Sequence, residues 1–439
     1  MEFLIALTYA VFFIFLIYRL KFFRAEGISA LSISVIFFLK LCFGAGLYLV
    51  YTFYYPERAF ADIFKYYDDA TVLFNVIREN PVHFLQILTG INADAEYLMV
   101  YYENTSHWYK PYDYGIYNDN RTIIRSILLF YPLSFGYYAP QIVFFCFISL
   151  IGLLGIFKAA YPYMKERAVE LAFAVFLLPS LLFWSSGILK ESILLFGFGI
   201  FIYYLFKVLF VKLKFRYLLR MAFCFLLLAL VKGYVMLALI PALLSLLVIK
   251  ISGNRFSGLK FLFTHILILV VAVNLYRINP ELDALYYLHQ KQQDFINVGE
   301  EVPAGSYIKT KIFEPKWTSL ITNAPEAIST VLFRPTVFEA NSAMMALAAL
   351  ENFLILLICA ILLYNFKIPD KKSLPLLWFS IFFTLSLAAI IGFVTPVLGA
   401  VVRYKIPLMP FLIIIFILIS NKEMMVKRLP FLKFLNKAI

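Results

Sequence analysis

Asp62 heads the stretch Asp62-Ile-Phe-Lys65-Tyr66-Tyr67-Asp68-Asp69-Ala70, a few residues beyond a long apolar run. A carboxylate at the mouth of a membrane groove can take a proton from an acceptor hydroxyl or amide, which is general-base chemistry. Cations collect beside it: Lys190, Lys232, Arg403 and Lys405 at the ends of other apolar runs, and Arg121, Arg125 and Arg334 in the polar loops on the same face. Guanidinium and ammonium groups at that depth suit a phosphate or pyrophosphate and stabilise a phosphate leaving group. Tyr66, Asp69, Glu339 and Tyr404 accompany them as candidate substrate-binding residues. Any one of these basic residues has a simpler reading, snorkelling to the lipid headgroups. Any one acid has the reading of a solvated loop residue. The set points to an amphiphilic anion whose tail lies between helices.

The elements that position these groups are membrane spans. The chain has 439 residues, of which 63% are hydrophobic and 15% charged. That composition predicts an all-α polytopic membrane protein forming one integral-membrane domain over 1–439. Candidate spans fall at 2–20, 30–55, 140–161, 168–187, 191–211, 217–231, 234–250, 259–276, 345–366, 374–395 and 406–420, eleven transmembrane helices in all. The spans 217–231 and 234–250 meet at Lys232-Gly233-Tyr234 and read either as a broken pair or as two crossings. The first run lacks a basic leader and a small-residue cleavage site, so it reads as a retained helix.

The net charge of +13 sorts by side. Lys21, Arg24, Lys165, Arg167, Lys212, Lys214, Lys250, Lys260, Lys371 and the tail from Lys422 alternate in register with eleven spans. The positive-inside rule then places the N-terminus outside and the C-terminus in the cytoplasm. The excess charge is a lipid-facing anchor, not a nucleic-acid surface. Most of the 26 acidic residues fall on the other side, in two extracytoplasmic loops over 56–140 and 277–344. In the first loop, Tyr66 to Asn80 has helical spacing, Pro81 marks a break and 82–88 suits a short interfacial helix. Residues 97–117 are dense in Tyr and Trp, as befits a headgroup belt or a surface that stacks on sugars.

Lys40 and Glu351 lie inside spans, where an ionised group needs a partner or a cavity. Cys42, Cys146, Cys224 and Cys359 lie in apolar runs and read as thiols rather than disulfides. The four histidines are scattered, so a zinc site is not expected. Asp62, Asp68 and Asp69 are the one grouping that suggests a divalent cation, and whether a metal is needed stays open.

The form Asp62-x-x-x-Tyr66-x-x-x-Ala70 resembles the first-loop motif of the GT-C glycosyltransferase superfamily, whose first large extracytoplasmic loop carries a catalytic aspartate. Arg403-Tyr404-Lys405-x-Pro407-x-x-Pro410 resembles a late segment of those enzymes, where a basic residue faces the lipid phosphate. The resemblance implies a GT-C-like fold and a polyprenyl-phosphate-linked sugar donor. It implies a glycan, lipid or protein acceptor, and action on the outer face of a bacterial plasma membrane. This chain departs from the pattern in that its large loop follows the second span, not the first. Pro179-Ser180-x-x-Phe183-Trp184-Ser185-Ser186-Gly187-x-x-Lys190-Glu191 and Arg334-Pro335-Thr336-Val337-Phe338-Glu339 are similar to bacterial exopolysaccharide-assembly proteins, repeat-unit polymerases among them. That resemblance implies a polyprenyl-pyrophosphate-linked glycan held by Arg121, Arg125, Arg334 and Arg403. A third class, a lipid-linked glycan flippase or transporter, has one hint in the break at Lys232-Gly233.

Overall fold

The computed structural model describes residues 1–55, 58, 61–109, 117–301 and 305–436, with side chains at all of these except 300, 301 and 434–436. Among the described residues there is no strand, only isolated bridges. Two apolar helices, α1 (Glu2–Arg19) and α2 (Ala30–Leu49, continued by a π turn to Tyr54), precede the first long loop. That loop carries α3 (Asp62–Glu79), α4 (Pro81–Thr89), α5 (Met99–Tyr102) and α6 (Asn120–Ser134). The expected break at Pro81 is present: Asn80 accepts hydrogen bonds from the Val82 and His83 amides, Pro81 opens α4, and left-handed Gly90 closes it.

The centre of the fold is α7 (Tyr138–Ala160) against α10 (Lys190–Phe210). Their backbones meet at glycines: a Cβ on Gly199 would lie 1.8 Å from the Gly152 carbonyl oxygen, and one on Gly155 2.5 Å from that of Gly199. Small residues at such a crossing let two helices approach without side chains between them. Between α7 and α10 the chain is broken. It runs through α8 (Ala168–Ala172), a π turn (Phe173–Leu177), α9 (Pro179–Trp184) and a turn over 185–189. The span expected over 168–187 is therefore interrupted at Leu178-Pro179, since proline cannot continue the helical bonding.

α11 (Phe215–Ser252) is broken at Lys232, where φ is −154° and ψ 85°. Its first half runs beside α10, with Arg220 bonded to the Tyr204 hydroxyl near one end and Lys232 bonded to Glu191 at the other. Its second half returns. Ser252 accepts a bond from Lys260, Asn254 donates to the Lys371 carbonyl, and Gly258 packs on Trp378, whose neighbour Phe379 meets Phe206, two residues from Tyr204. The chain thus folds back at Lys232.

α12 (Ser257–Asn274) leads to the second long loop, with α13 (Ala284–Glu301) and α14 (Trp317–Phe333). α15 (Ala343–Tyr364) and α16 (Leu374–Val394) follow, then α17 (Leu398–Tyr404), α18 (Met409–Leu418) and α19 (Lys422–Arg428). α17 and α18 meet at 64°, so the expected span over 406–420 begins within a bend around Pro407 and Pro410. Eight helices among the described residues are long and apolar enough to cross a membrane, or nine if α17 and α18 count as one bent span. Leu259, Phe263, Ile266 and Val270 on α12 are exposed, as a lipid-facing surface requires.

Candidate functional site

Four elements end at one place: the N-termini of α3 and α10, the break in α11, and the C-terminus of α17. Asp62 opens α3, where a negative charge suits the helix dipole. Lys190 and Glu191 open α10 after the 185–189 turn. Arg403 sits in the last turn of α17. Apart from the adjacent Lys190 and Glu191, none of these groups is near another in sequence, and packing brings them together.

Glu191 is the hub. Its side chain is 0% exposed and accepts from Lys232 Nζ at 2.6 Å and from Arg403 Nη2 at 2.8 Å, with Arg403 Nε 2.7 Å away. The other side of Arg403 donates to Asp62 Oδ2 at 2.5 Å. Lys65 Nζ stands 3.8 Å from Asp62, one turn along α3. The result is a chain of alternating charge, Lys65–Asp62–Arg403–Glu191–Lys232. Lys190 pairs with Asp119, at the start of α6, at 2.8 Å. Aromatic faces line the cluster: Lys232 lies 4.0 Å from the centre of the Tyr404 ring, Lys190 5.5 Å from Tyr66, and the Arg403 guanidinium 5.6 Å from Trp184.

Asp62 remains 31% exposed, whereas Glu191 is sealed. Burial works against the charge on Asp62, but Arg403 beside it, with Lys65 and Lys190, outweighs burial and holds the carboxyl below the usual aspartate range. Burial pushes the Tyr66 phenol well above its ordinary value, and Asp62 adds to the shift.

The other expected site residues lie in separate local networks. Asp69 is buried and accepts from the Ser106, His107 and Trp108 amides at 2.8–2.9 Å, pinning the aromatic loop to α3. Burial raises its affinity for a proton, and the three amides oppose that. Arg121 donates to Asp94 at 2.5 Å and to the Trp108 carbonyl at 3.0 Å. Arg125 bonds the Ile87 carbonyl and the Tyr117 hydroxyl, and both guanidiniums flank the Trp108 ring. Arg334 is held by Glu339, which also accepts from the Thr336 amide, closing a capping box. Burial disfavours the Glu339 charge, but the bond from Arg334 keeps its carboxyl below the usual glutamate range. Lys405 donates to Asn352 at 2.8 Å and to the Val331 carbonyl at 3.3 Å. Glu351 caps α9 through the Ser180 amide and hydroxyl.

The three aspartates suggested for a divalent cation turn to three different partners. Asp68 binds Arg58, Asp69 the loop amides, and Asp62 Arg403. Among the described residues, no three His, Cys, Asp or Glu side chains group as metal ligands. Sequence reasoning passed over Glu191, Asp119 and Lys65 as site residues. The usable signal for Glu191 was a carboxylate opening an otherwise apolar helix, which must find cations. Family models, curated proteins and solved structures were compared with the chain, and none matches.

Proposed function

We propose that the protein is a glycosyltransferase acting on a polyprenyl-phosphate-linked sugar at the outer face of a membrane. The chain crosses that membrane eleven times. Eight long apolar helices, the fold-back at Lys232 and the broken segments before α10 and after α16 support that count. The observation that carries the functional reading is the Asp62–Arg403–Glu191–Lys232 chain, partly open at Asp62 and sealed at Glu191. Idle charges at this depth would cost several kcal/mol on most scales (~2.5–3.5 each on insertion scales).

At rest Asp62 is a weak base, because Arg403 stabilises its charge. A donor phosphate competes for Arg403 and draws it away, which raises the proton affinity of Asp62 beside the acceptor. The acceptor oxygen or nitrogen attacks the anomeric carbon, its proton passes to Asp62, and the bond from sugar to phosphate breaks. The lipid phosphate leaves with its negative charge held by Arg403 and the neighbouring lysines. The polymerase reading asks Arg121, Arg125 and Arg334 to hold pyrophosphate alongside Arg403, yet each is bonded to its own loop.

The test is transfer from a synthetic polyprenyl-phosphate sugar by the protein in proteoliposomes. Asp62→Asn should insert and fold but lose transfer, while Arg121→Ala should keep it. Turnover retained in Asp62→Asn refutes the base role. A second reading, movement of a lipid-linked glycan across the bilayer, is favoured by the three helix breaks at Leu178, Lys232 and between α17 and α18. It predicts glycan translocation with no new glycosidic bond in the same vesicles.

A further inference from the structure

Among the described residues, Lys40 is the most deeply buried lysine, with 0% of its surface exposed, and it lies apart from the charge cluster. It stands in the middle of α2 and is not part of the chemistry above. Its ammonium donates to the Ser185 carbonyl at 3.0 Å, to the Ser185 hydroxyl at 2.5 Å and to the Ser186 hydroxyl at 3.2 Å. Among the described residues no carboxylate pairs with it. A buried cation satisfied only by a carbonyl and hydroxyls is costly to keep, so its retention needs a reason.

The three acceptors belong to one turn, the link from α9 to α10. The same turn is gripped from other sides. Ser149 and Ser192 donate to the Ser185 carbonyl, and Cys146 Sγ approaches the Ser186 carbonyl at 3.2 Å. Gly44 allows α2 to touch the turn: a Cβ there would lie 2.3 Å from the Ser186 carbonyl oxygen. The turn ends at Leu189, and the next two residues are Lys190 and Glu191. A shift of the turn therefore moves the hub carboxylate relative to Arg403 and Lys232.

We propose that Lys40 is a positioning residue of the site: its ammonium clamps the 185–187 turn and so sets where Lys190 and Glu191 stand. The catalytic consequence rests on the transferase reading, but the clamp itself does not. Two measurements separate them. In a C42A/C224A/C359A background the one remaining thiol, Cys146, lies under the turn and reports its opening to N-ethylmaleimide. Lys40→Met should raise the Cys146 labelling rate about tenfold or more, the equivalent of one charged hydrogen bond lost. In the transfer assay Lys40→Met should fall by about a hundredfold, and Lys40→Arg, which restores a charged donor, should recover at least about tenfold of that. Labelling within about twofold of the parent overturns the clamp, and Lys40→Arg transferring no better than Lys40→Met overturns the positioning role. If the unmutated protein transfers nothing, the transferase reading fails and labelling alone decides the clamp. Should Lys40→Met fail to accumulate, S185A/S186A removes two of the acceptors and must raise labelling in the same direction. Flat labelling there overturns the proposal.

Discussion

Glu191→Gln is the most incisive perturbation of the cluster. The substitution keeps the shape and one carbonyl oxygen but removes the charge that faces both Lys232 and Arg403, at 2.6–2.8 Å. Breaking a buried ion pair from one side costs about 3–5 kcal/mol, because the remaining charge is left in a poor solvent. Here the loss is divided. Arg403 keeps Asp62 at 2.5 Å, while Lys232 keeps the faces of Tyr404 at 4.0 Å and Tyr234 at 5.7 Å, contacts worth about 1–2 kcal/mol when desolvated. The expected net loss is therefore about 3 kcal/mol, most of it on the Lys232 side. Denaturant unfolding in mixed micelles, followed by circular dichroism, measures it. The double variant E191Q/K232Q should be less unstable than the sum of the two singles by about 1 kcal/mol or more. A loss under about 1 kcal/mol for Glu191→Gln, or strict additivity in the cycle, would refute Glu191 as the hub.

Other outcomes follow from the same geometry. The folded-state pKa of Asp62 is depressed, so the stability it contributes is present above its unfolded value of about 4 and is lost as pH falls through the lower folded value. The stability gap between the unmutated chain and Asp62→Asn should accordingly shrink as the pH is lowered past that value in pH-dependent unfolding. Asp69→Ala strands the amides of Ser106, His107 and Trp108 and should cost about 2–4 kcal/mol, with faster proteolysis in the aromatic loop as the readout. Gly199→Ala puts a methyl into the Gly152 carbonyl and should cost about 2 kcal/mol or more, seen as a lowered thermal midpoint. No loss there would mean that α7 and α10 are not in backbone contact.

The sequence alone settled the solvent in which this chain folds. Long apolar runs with few charges call for helices to satisfy the backbone in lipid, and the described residues form helices joined by turns, with no strand. It also marked the local signals, such as Asn80-Pro81 at the head of α4 and the helical spacing that became α3. It picked out Lys190, Lys232 and Arg403 by a rule about cost, that charge at membrane depth must be answered, and Asp62 by its place just beyond a span. What answers each charge was a matter of tertiary structure. Asp62 and Arg403 are 341 residues apart, Glu191 and Arg403 212. Periodicity and propensity act over a few residues and carry no information about such pairings. The packing of α10 on α7, the fold-back at Lys232 and the bend after α17 decided them. The same packing separated Arg121, Arg125, Arg334 and Lys405, which look alike in sequence, into loop and backbone contacts. A charge is legible in a sequence as a debt of solvation, but its partner is fixed only when distant helices close around it.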